Sequence, residues 1–126
     1  MKEVVTTKDA PAPIGPYSQA VKTGNLLFIS GQVAIIPSTG NLALDNVHEE
    51  TTQIMRNIGA ILKAAGMDYS NIVKTTIFLT NMNNFNAVNE VYGSFFKDAF
   101  PARETVQVSR LPREVNIEIS VIASKE

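Results

Sequence analysis

The chain has 126 residues, no cysteine, one histidine and a net charge of -1 at neutral pH, with a pI near 5.8. This length suits one compact domain, so we expect a single domain over residues 1–126. The missing cysteines exclude disulfides, thiolate chemistry and cysteine-ligated metal sites, and the acidic pI disfavours nucleic acid as a partner. No apolar run approaches the roughly 20 residues of a membrane span, and no signal peptide is recognisable, so a cytoplasmic protein without metal or cofactor is expected.

The N-terminal part is predicted to form a β-hairpin after a constrained loop. Segment 11–16 (PAPIGP) holds three prolines, each of which fixes its own φ and pushes the preceding residue toward extended geometry. Segments 17–22 and 26–30 flank a turn that contains Gly24, which is typical of a hairpin. A short strand near residues 3–6 would extend the same sheet.

Two amphipathic helices are predicted from a change in hydrophobic period. Over residues 47–65 apolar side chains recur every three or four positions, with Asn46 as the capping residue and Gly66 as a natural stop. A second stripe of this kind covers residues 85–96 and is closed by Pro101. The two helices therefore divide the predicted strands into an early and a late group.

Three further strands are predicted at 72–80, 105–109 and 115–123, which gives the order ββ-α-β-α-ββ and an α+β fold. One face of the strand at 72–80 is predicted to carry four of its side chains: Val73, Thr75, Ile77 and Leu79. Two helices can cover only one face of a five- or six-stranded sheet. Because the other face is mostly uncharged, we expect another copy of the chain to cover it in a homo-oligomer.

Arg103 and Glu118 are the strongest candidates for chemistry. Strand alternation places Arg103 on the same side as Thr105, and it places Glu118 opposite the apolar face of the last strand. On neighbouring strands, the guanidinium would bind an anion beside a carboxylate that orients water. A structural ion pair is the alternative interpretation of the same two residues.

Other polar residues give weaker indications. His48 lies in the first turn of a predicted helix, where we expect it to face solvent. Arg110 and Arg113 flank a Leu-Pro turn, but neighbouring glutamates offset their charge and no aromatic residues alternate with them, so a nucleic-acid site is not favoured. Tyr17 either presents its hydroxyl from a rigid strand start or packs its ring at an edge.

Five segments, taken in order along the chain, resemble a single family: 13–20 (PIGPYSQA), 30–32 (SGQ), 72–76 (IVKTT), 100–103 (FPAR) and 117–119 (IEI). On these motifs the chain resembles the RidA/YjgF family of enamine/imine deaminases, also labelled L-PSP endoribonuclease-like, over essentially its whole length. The resemblance implies a chorismate-mutase-like fold, with a mixed sheet and two helices on one face. It also implies a homotrimer with a barrel-like core and active sites in clefts between subunits.

The resemblance further implies a site and a reaction. Arg103 would bind the substrate carboxylate, and Glu118 would orient or activate the attacking water. Five other residues would line the pocket or bind the substrate: Tyr17, Ser30, Gly31, Asn89 and Thr105. The reaction would be hydrolysis of 2-iminopropanoate and 2-iminobutanoate, the imines of 2-aminoacrylate and 2-aminocrotonate, to 2-oxoacids and ammonia. Such a hydrolase would serve amino-acid metabolism by removing damaging metabolites, without a cofactor.

Two positions depart from the family pattern. Thr105 stands where many relatives have cysteine, and its hydroxyl can still donate and accept a hydrogen bond. Glu104 stands where relatives usually have a small or apolar residue, and strand alternation should direct it away from Arg103. Two other functions remain open: an endoribonuclease or translation inhibitor, which the acidic pI disfavours, and a non-catalytic 2-oxoacid sensor or chaperone.

Overall fold

The computed structural model describes residues 1–126 as one six-stranded mixed sheet with two helices on one face. In chain order the elements are β1 (Glu3–Val5), β2 (Ala20–Thr23), β3 (Leu26–Gln32), α1 (Val47–Ala64), β4 (Ile72–Leu79), α2 (Phe85–Gly93), β5 (Ala102–Gln107) and β6 (Ile117–Ser124). The strand order is β1-β2-β3-β6-β4-β5, and only the β4–β5 pair is parallel. The predicted α+β class and element order are confirmed, including the short first strand.

Helix α1 forms where the periodicity predicted it. The Asn46 side chain accepts a hydrogen bond from the backbone N–H of Glu49 at 2.8 Å, which satisfies one of the free donors of the first turn. At the other end, Gly66 adopts a φ of 75°, a conformation that favours glycine and stops the helix. The face toward β3 and β6 is fully buried at four large side chains: Ile54, Ile58, Ile61 and Leu62. Each such side chain contributes roughly 1.5–3 kcal/mol to folding.

Strand β4 contains an irregularity that alternation could not predict. The pairing of β4 with β6 shifts register between Ile72 and Lys74, so Ile72 takes the buried position and Val73 is displaced outward, 48% exposed. The prediction that Val73 shares a face with Thr75, Ile77 and Leu79 is therefore wrong, because an extra residue in one strand reverses the alternation beyond it. Thr75, Ile77 and Leu79 share one face as predicted, and all three are buried.

The second helix and the last strands differ from prediction at their ends. Helix α2 ends at Gly93, and the N–H groups of Ser94, Phe95 and Phe96 donate instead to carbonyls three residues back. The rings of Phe95 and Phe96 still pack on the core, beside Tyr69 and Tyr92. The late strands begin at positions 102 and 117 rather than 105 and 115.

The sheet face opposite the helices has no covering element within this chain. It carries partly exposed apolar side chains, among them Leu26, Phe28 and Val106, which are 38–41% accessible. The expectation of an uncovered, largely uncharged face is confirmed. Neither helix combines the length and apolar character needed to cross a membrane.

Candidate functional site

Arg103 and Glu118 lie on opposite faces of the sheet and not on neighbouring strands. Strand β4 separates β5 from β6. Arg103 pairs with Thr75, which is buried under the helices, whereas Glu118 pairs with Phe78 on the open face. The expectation that adjacent strands join them in one chain is wrong, because β6 inserts between β3 and β4. We refer to the surroundings of Arg103 on the helix side as the Arg103 half-site and to the surroundings of Glu118 on the open face as the Glu118 half-site.

The Arg103 half-site is built by α2. The guanidinium donates from Nη1 to Asn89 Oδ1 at 2.6 Å, and it lies 5.6 Å from the ring centroid of Phe85 and 5.3 Å from that of Tyr92. No carboxylate pairs with Arg103, although the side chain is half-buried. The rings and the amide fix the plane of the guanidinium and leave N–H groups free to bind a carboxylate in a bidentate manner.

Thr105 shares the face of Arg103, as predicted, since the two residues pair with Ile77 and Thr75 on the helix side. The Thr105 hydroxyl oxygen is fully buried and has no hydrogen-bond partner. An unsatisfied buried polar group costs about 1–3 kcal/mol. The Thr105 hydroxyl therefore has hydrogen-bonding capacity that the single chain leaves unused.

The Glu118 half-site is a cavity of about 440 Å³. It is lined by nine residues: Ile14, Tyr17, Ser30, Gly31, Val33, Ile35, Pro112, Arg113 and Glu118. The Glu118 carboxylate receives no hydrogen bond from the chain, and burial raises its pKa above the ordinary value. The carboxylate packs directly against Gly31, and the Cβ atom of any other residue at position 31 would overlap Oε2 of Glu118. Glycine is needed here for this close approach.

Tyr17 and Ser30 form the rim of the same cavity. The Ser30 hydroxyl donates to the carbonyl of Ser18 at 2.6 Å. Tyr17 is 51% exposed, and its hydroxyl oxygen accepts a hydrogen bond from the backbone N–H of Ile14 at 3.3 Å. The exposure of Tyr17 favours the first of its two interpretations, but the predicted strand start is wrong, because β2 begins at Ala20 and Tyr17 lies in the loop before it.

The structure brings the predicted site residues together in two groups. Tyr17, Ser30, Gly31 and Glu118 share the open-face cavity. Asn89 and Arg103 are joined under α2, with Thr105 on the same face. No three His, Asp or Glu side chains are grouped as metal ligands.

The sequence profile of the family described as Endoribonuclease L-PSP matches residues 7–125. The chain belongs to this family. It is 52% identical over 126 residues, all of both chains, to a RutC family protein of Pyrococcus horikoshii. It is 50% identical over 123 residues to the mouse 2-iminobutanoate/2-iminopropanoate deaminase, covering 98% of this chain and 91% of the mouse protein.

The fold of the family is confirmed by a solved structure. The crystal structure of Escherichia coli TdcF with bound serine superposes with a TM-score of 0.95 at 39% identity, covering 98% of this chain and 99% of TdcF. The membership predicted from the five motifs is thus confirmed, together with the two-helix mixed sheet that it implied.

The departure at Glu104 leaves the Arg103 half-site untouched. Glu104 points to the open face, where Oε2 accepts a hydrogen bond from Thr76 at 2.5 Å and Oε1 lies 3.0 Å from Lys74 Nζ. The pKa of Glu104 is lowered mainly by the hydrogen bond from Thr76 and secondly by the hydrogen bond from Lys74. The predicted orientation away from Arg103 is confirmed.

Two weaker candidates have ordinary surface environments. His48 is exposed as predicted, with Nε2 3.8 Å from Glu90. Arg110 pairs with Glu114. By contrast, Arg113 lines the Glu118 cavity, a location that the sequence did not indicate. Its backbone has a φ of 59°.

Sequence reasoning missed two buried polar side chains of α1 that support the open-face cavity. Glu50 accepts hydrogen bonds from the segment just before Glu118, and Asn57 donates to the carbonyls of Val33 and Ile35 at 3.3 and 2.9 Å. A signal for both exists, because they lie two helical turns apart on the apolar stripe, in phase with buried isoleucines. Polar residues on a buried stripe need partners.

Proposed function

We propose that this protein hydrolyses 2-imino acids, with 2-iminobutanoate and 2-iminopropanoate as substrates, to 2-oxoacids and ammonia. The observation that carries the proposal is the unpaired Arg103 guanidinium, oriented by Asn89 and two aromatic rings. A planar guanidinium can donate two parallel hydrogen bonds to a planar carboxylate, and every 2-imino acid has a carboxylate. The mouse relative named for this activity is 50% identical, which supports the same substrate class.

The proposal requires two copies of the chain at each site. Within one chain the two half-sites open on opposite faces of the sheet, so a single substrate cannot contact both. Strand β5 is an edge strand, and Arg103 lies beside that edge. We propose a homotrimer in which the edge of one protomer places Arg103 at the Glu118 cavity of the next, with the uncovered apolar faces forming the core.

The chemistry then needs positioning and a carboxylate that carries two protons, one after the other, from the water oxygen to the imine nitrogen. Arg103 holds the substrate carboxylate, and Glu118 accepts a proton from a water molecule as the water oxygen adds to the imine carbon. Glu118 passes that proton to the nitrogen, which gives a carbinolamine. It then transfers the proton of the new hydroxyl group to the same nitrogen as the carbon–nitrogen bond breaks, so ammonia leaves and the carbonyl of the 2-oxoacid forms. The raised pKa of Glu118 brings it closer to the working pH, which favours both transfers.

The remaining residues would orient the substrate. The unpaired Thr105 hydroxyl would bind a polar atom next to the carboxylate, and Ser30 and Tyr17 would supply hydroxyl groups on the cavity side. The apolar wall, which includes Val33 and Ile35, would receive the methyl or ethyl group of the substrate. No covalent nucleophile is needed, since an imine carbon is already electrophilic.

Arg103→Ala tests this function in a coupled assay. A threonine dehydratase generates 2-iminobutanoate, semicarbazide traps it, and added protein competes by hydrolysis. We expect wild-type protein to suppress semicarbazone formation, and the variant to lose about 100-fold or more in kcat/KM because the substrate carboxylate is left unpaired. Arg103→Lys keeps the positive charge but cannot donate two parallel hydrogen bonds, so its kcat/KM should lie between those of wild type and Arg103→Ala.

Equal suppression by wild type and Arg103→Ala would overturn the assignment of Arg103. If neither form suppresses semicarbazone formation, the hydrolase proposal fails. Calorimetry with 2-oxobutanoate would then show whether the same residues bind a 2-oxoacid without turnover.

A further inference from the structure

Glu50 is a fully buried carboxylate in the first turn of α1, yet no cation pairs with it. Its Oε2 accepts hydrogen bonds from the backbone N–H groups of Asn116 and Ile117 at 2.9 and 3.1 Å, and its Oε1 accepts one from Asn116 Nδ2 at 2.9 Å. Both oxygens act only as acceptors. The carboxylate thus bridges the helix layer to the first residues of β6.

The segment that Glu50 holds follows directly on a turn with unusual backbone geometry. Arg113 and Glu114, just upstream, have φ values of 59° and 56°, in the left-handed region that non-glycine residues rarely adopt. After this turn the backbone is held by the Glu50 contacts, by the hydrogen bond from Thr80 N–H to the Asn116 carbonyl at 3.1 Å, and by burial of the Val115 and Ile117 side chains. Glu50 therefore helps set where β6 begins and how its first residues are oriented.

The position of the Glu118 carboxylate depends on that backbone. Glu118 is the second residue of β6 and the first to face the open side, and no hydrogen bond from the chain fixes its carboxylate. Its position is determined by the backbone on one side and by contact with Gly31 on the other. A shift at Asn116 or Ile117 is passed directly to the carboxylate.

We propose that Glu50 is a positioning residue for Glu118, holding from the opposite side of the sheet the carboxylate that activates water. The inference rests on the proposed hydrolysis. A displacement of about 1 Å from productive geometry costs on the order of 100-fold in rate, so a remote hydrogen-bond anchor can have a large effect. Because Arg103 lies on another strand and binds the substrate carboxylate, Glu50 should influence turnover and not substrate affinity.

The first test measures kcat and KM of Glu50→Ala and Glu50→Gln. Glu50→Ala should lower kcat about 10- to 100-fold and leave KM within about threefold. Glu50→Gln should recover most of kcat, because its carbonyl oxygen can accept from both backbone N–H groups while the Asn116 amide turns to accept from the new NH₂ group. Should Glu50→Ala fail to fold, Glu50→Asp replaces it, since shortening by one methylene draws the anchor back and should lower kcat about fivefold or more.

A double-mutant cycle separates positioning from general destabilisation. In a Glu118→Gln background, replacing Glu50 by Ala or Asp should cause little further loss of kcat, because both changes remove the same contribution. Leu62→Ala is the control, since it removes buried packing from the same helix about 18 Å along the helix axis from Glu50 and should leave kcat of the folded protein near wild type.

The outcomes distinguish this inference from the hydrolysis on which it rests. If wild type is inactive, or if Glu118→Gln matches wild type, the proposed chemistry fails. If Glu118→Gln is impaired while Glu50→Ala or Glu50→Asp keeps full kcat, or if the two losses multiply, Glu50 has only a structural role and the positioning inference is overturned.

Discussion

At the scale of single residues, the two central charges are both left without a partner by the chain that holds them. Arg103 is oriented by an amide and two rings, and Glu118 is pressed against Gly31 without a hydrogen bond. A fold selected only for stability would pair or expose such groups, because an uncompensated, partly buried charge is unfavourable. This arrangement is consistent with charges kept available for a ligand.

Replacing Glu118 by Gln should therefore stabilise the protein while it impairs hydrolysis. Burial raises the pKa of Glu118 in the folded state, so the folded chain binds a proton more readily than the unfolded chain above the ordinary pKa of about 4.3. Stability contributed at this position falls as the pH rises from that value through the raised pKa, and the penalty is complete above it. Glu118→Gln should unfold at a higher temperature than wild type at pH 7.

The measurement is thermal unfolding of both forms at several pH values, with semicarbazide-coupled activity measured alongside. The difference in midpoint should shrink as the pH falls toward about 4, where Glu118 of wild type is also neutral. A lower midpoint for Glu118→Gln at pH 7 would contradict the prediction. It would mean that Arg103 of the neighbouring protomer, which the proposed trimer places at this cavity, compensates the buried carboxylate even without substrate.

At the scale of elements, the sequence predicts best where the hydrophobic pattern and the end signals agree. Helix α1 has a continuous apolar stripe, a capping asparagine and a terminal glycine, and its predicted limits differ from the observed ones by a single residue. The pattern around Val73 misleads because a bulge is a pairing feature, set by the partner strand and not by the residue itself. The Phe95–Phe96 stripe misleads because apolar side chains beyond a helix end can still reach the core.

The Asn46 cap of α1 offers a prediction at this scale. Asn46→Ala removes the acceptor for Glu49 N–H and should lower the free energy of unfolding by about 1 kcal/mol. Asn46→Asp should retain most of the stability, since aspartate caps equally well and its charge is favourable at a helix N-terminus. Urea unfolding of wild type and the two variants measures this. If Asn46→Asp loses as much stability as Asn46→Ala, the cap hydrogen bond is not the source.

At the scale of the whole molecule, composition and alternation predicted the uncovered face but not the strand order. Periodicity identifies strands one at a time, whereas the insertion of β6 between β3 and β4 depends on long-range pairing. For this reason the residues of the site could be named from the motifs while their arrangement in one chain could not. The separation of Arg103 from Glu118 is a property of topology.

The proposed assembly predicts that oligomerisation and activity fail together. Phe28 lies on the open face and is 41% exposed in the single chain. Phe28→Glu would place a carboxylate on the apolar core of the trimer, where its desolvation is unfavourable, so light scattering should report monomers. Activity should be lost together with the trimer, because Arg103 of one protomer no longer lies beside Glu118 of the next.

Two controls separate this outcome from misfolding and from loss of chemistry. Ala64→Glu introduces the same carboxylate on the exposed helix side and should leave both mass and activity unchanged. Arg103→Ala should remain trimeric while inactive. A monomeric Phe28→Glu protein with full activity would show that one chain suffices for hydrolysis, and the two half-sites would then have to act separately rather than on one substrate.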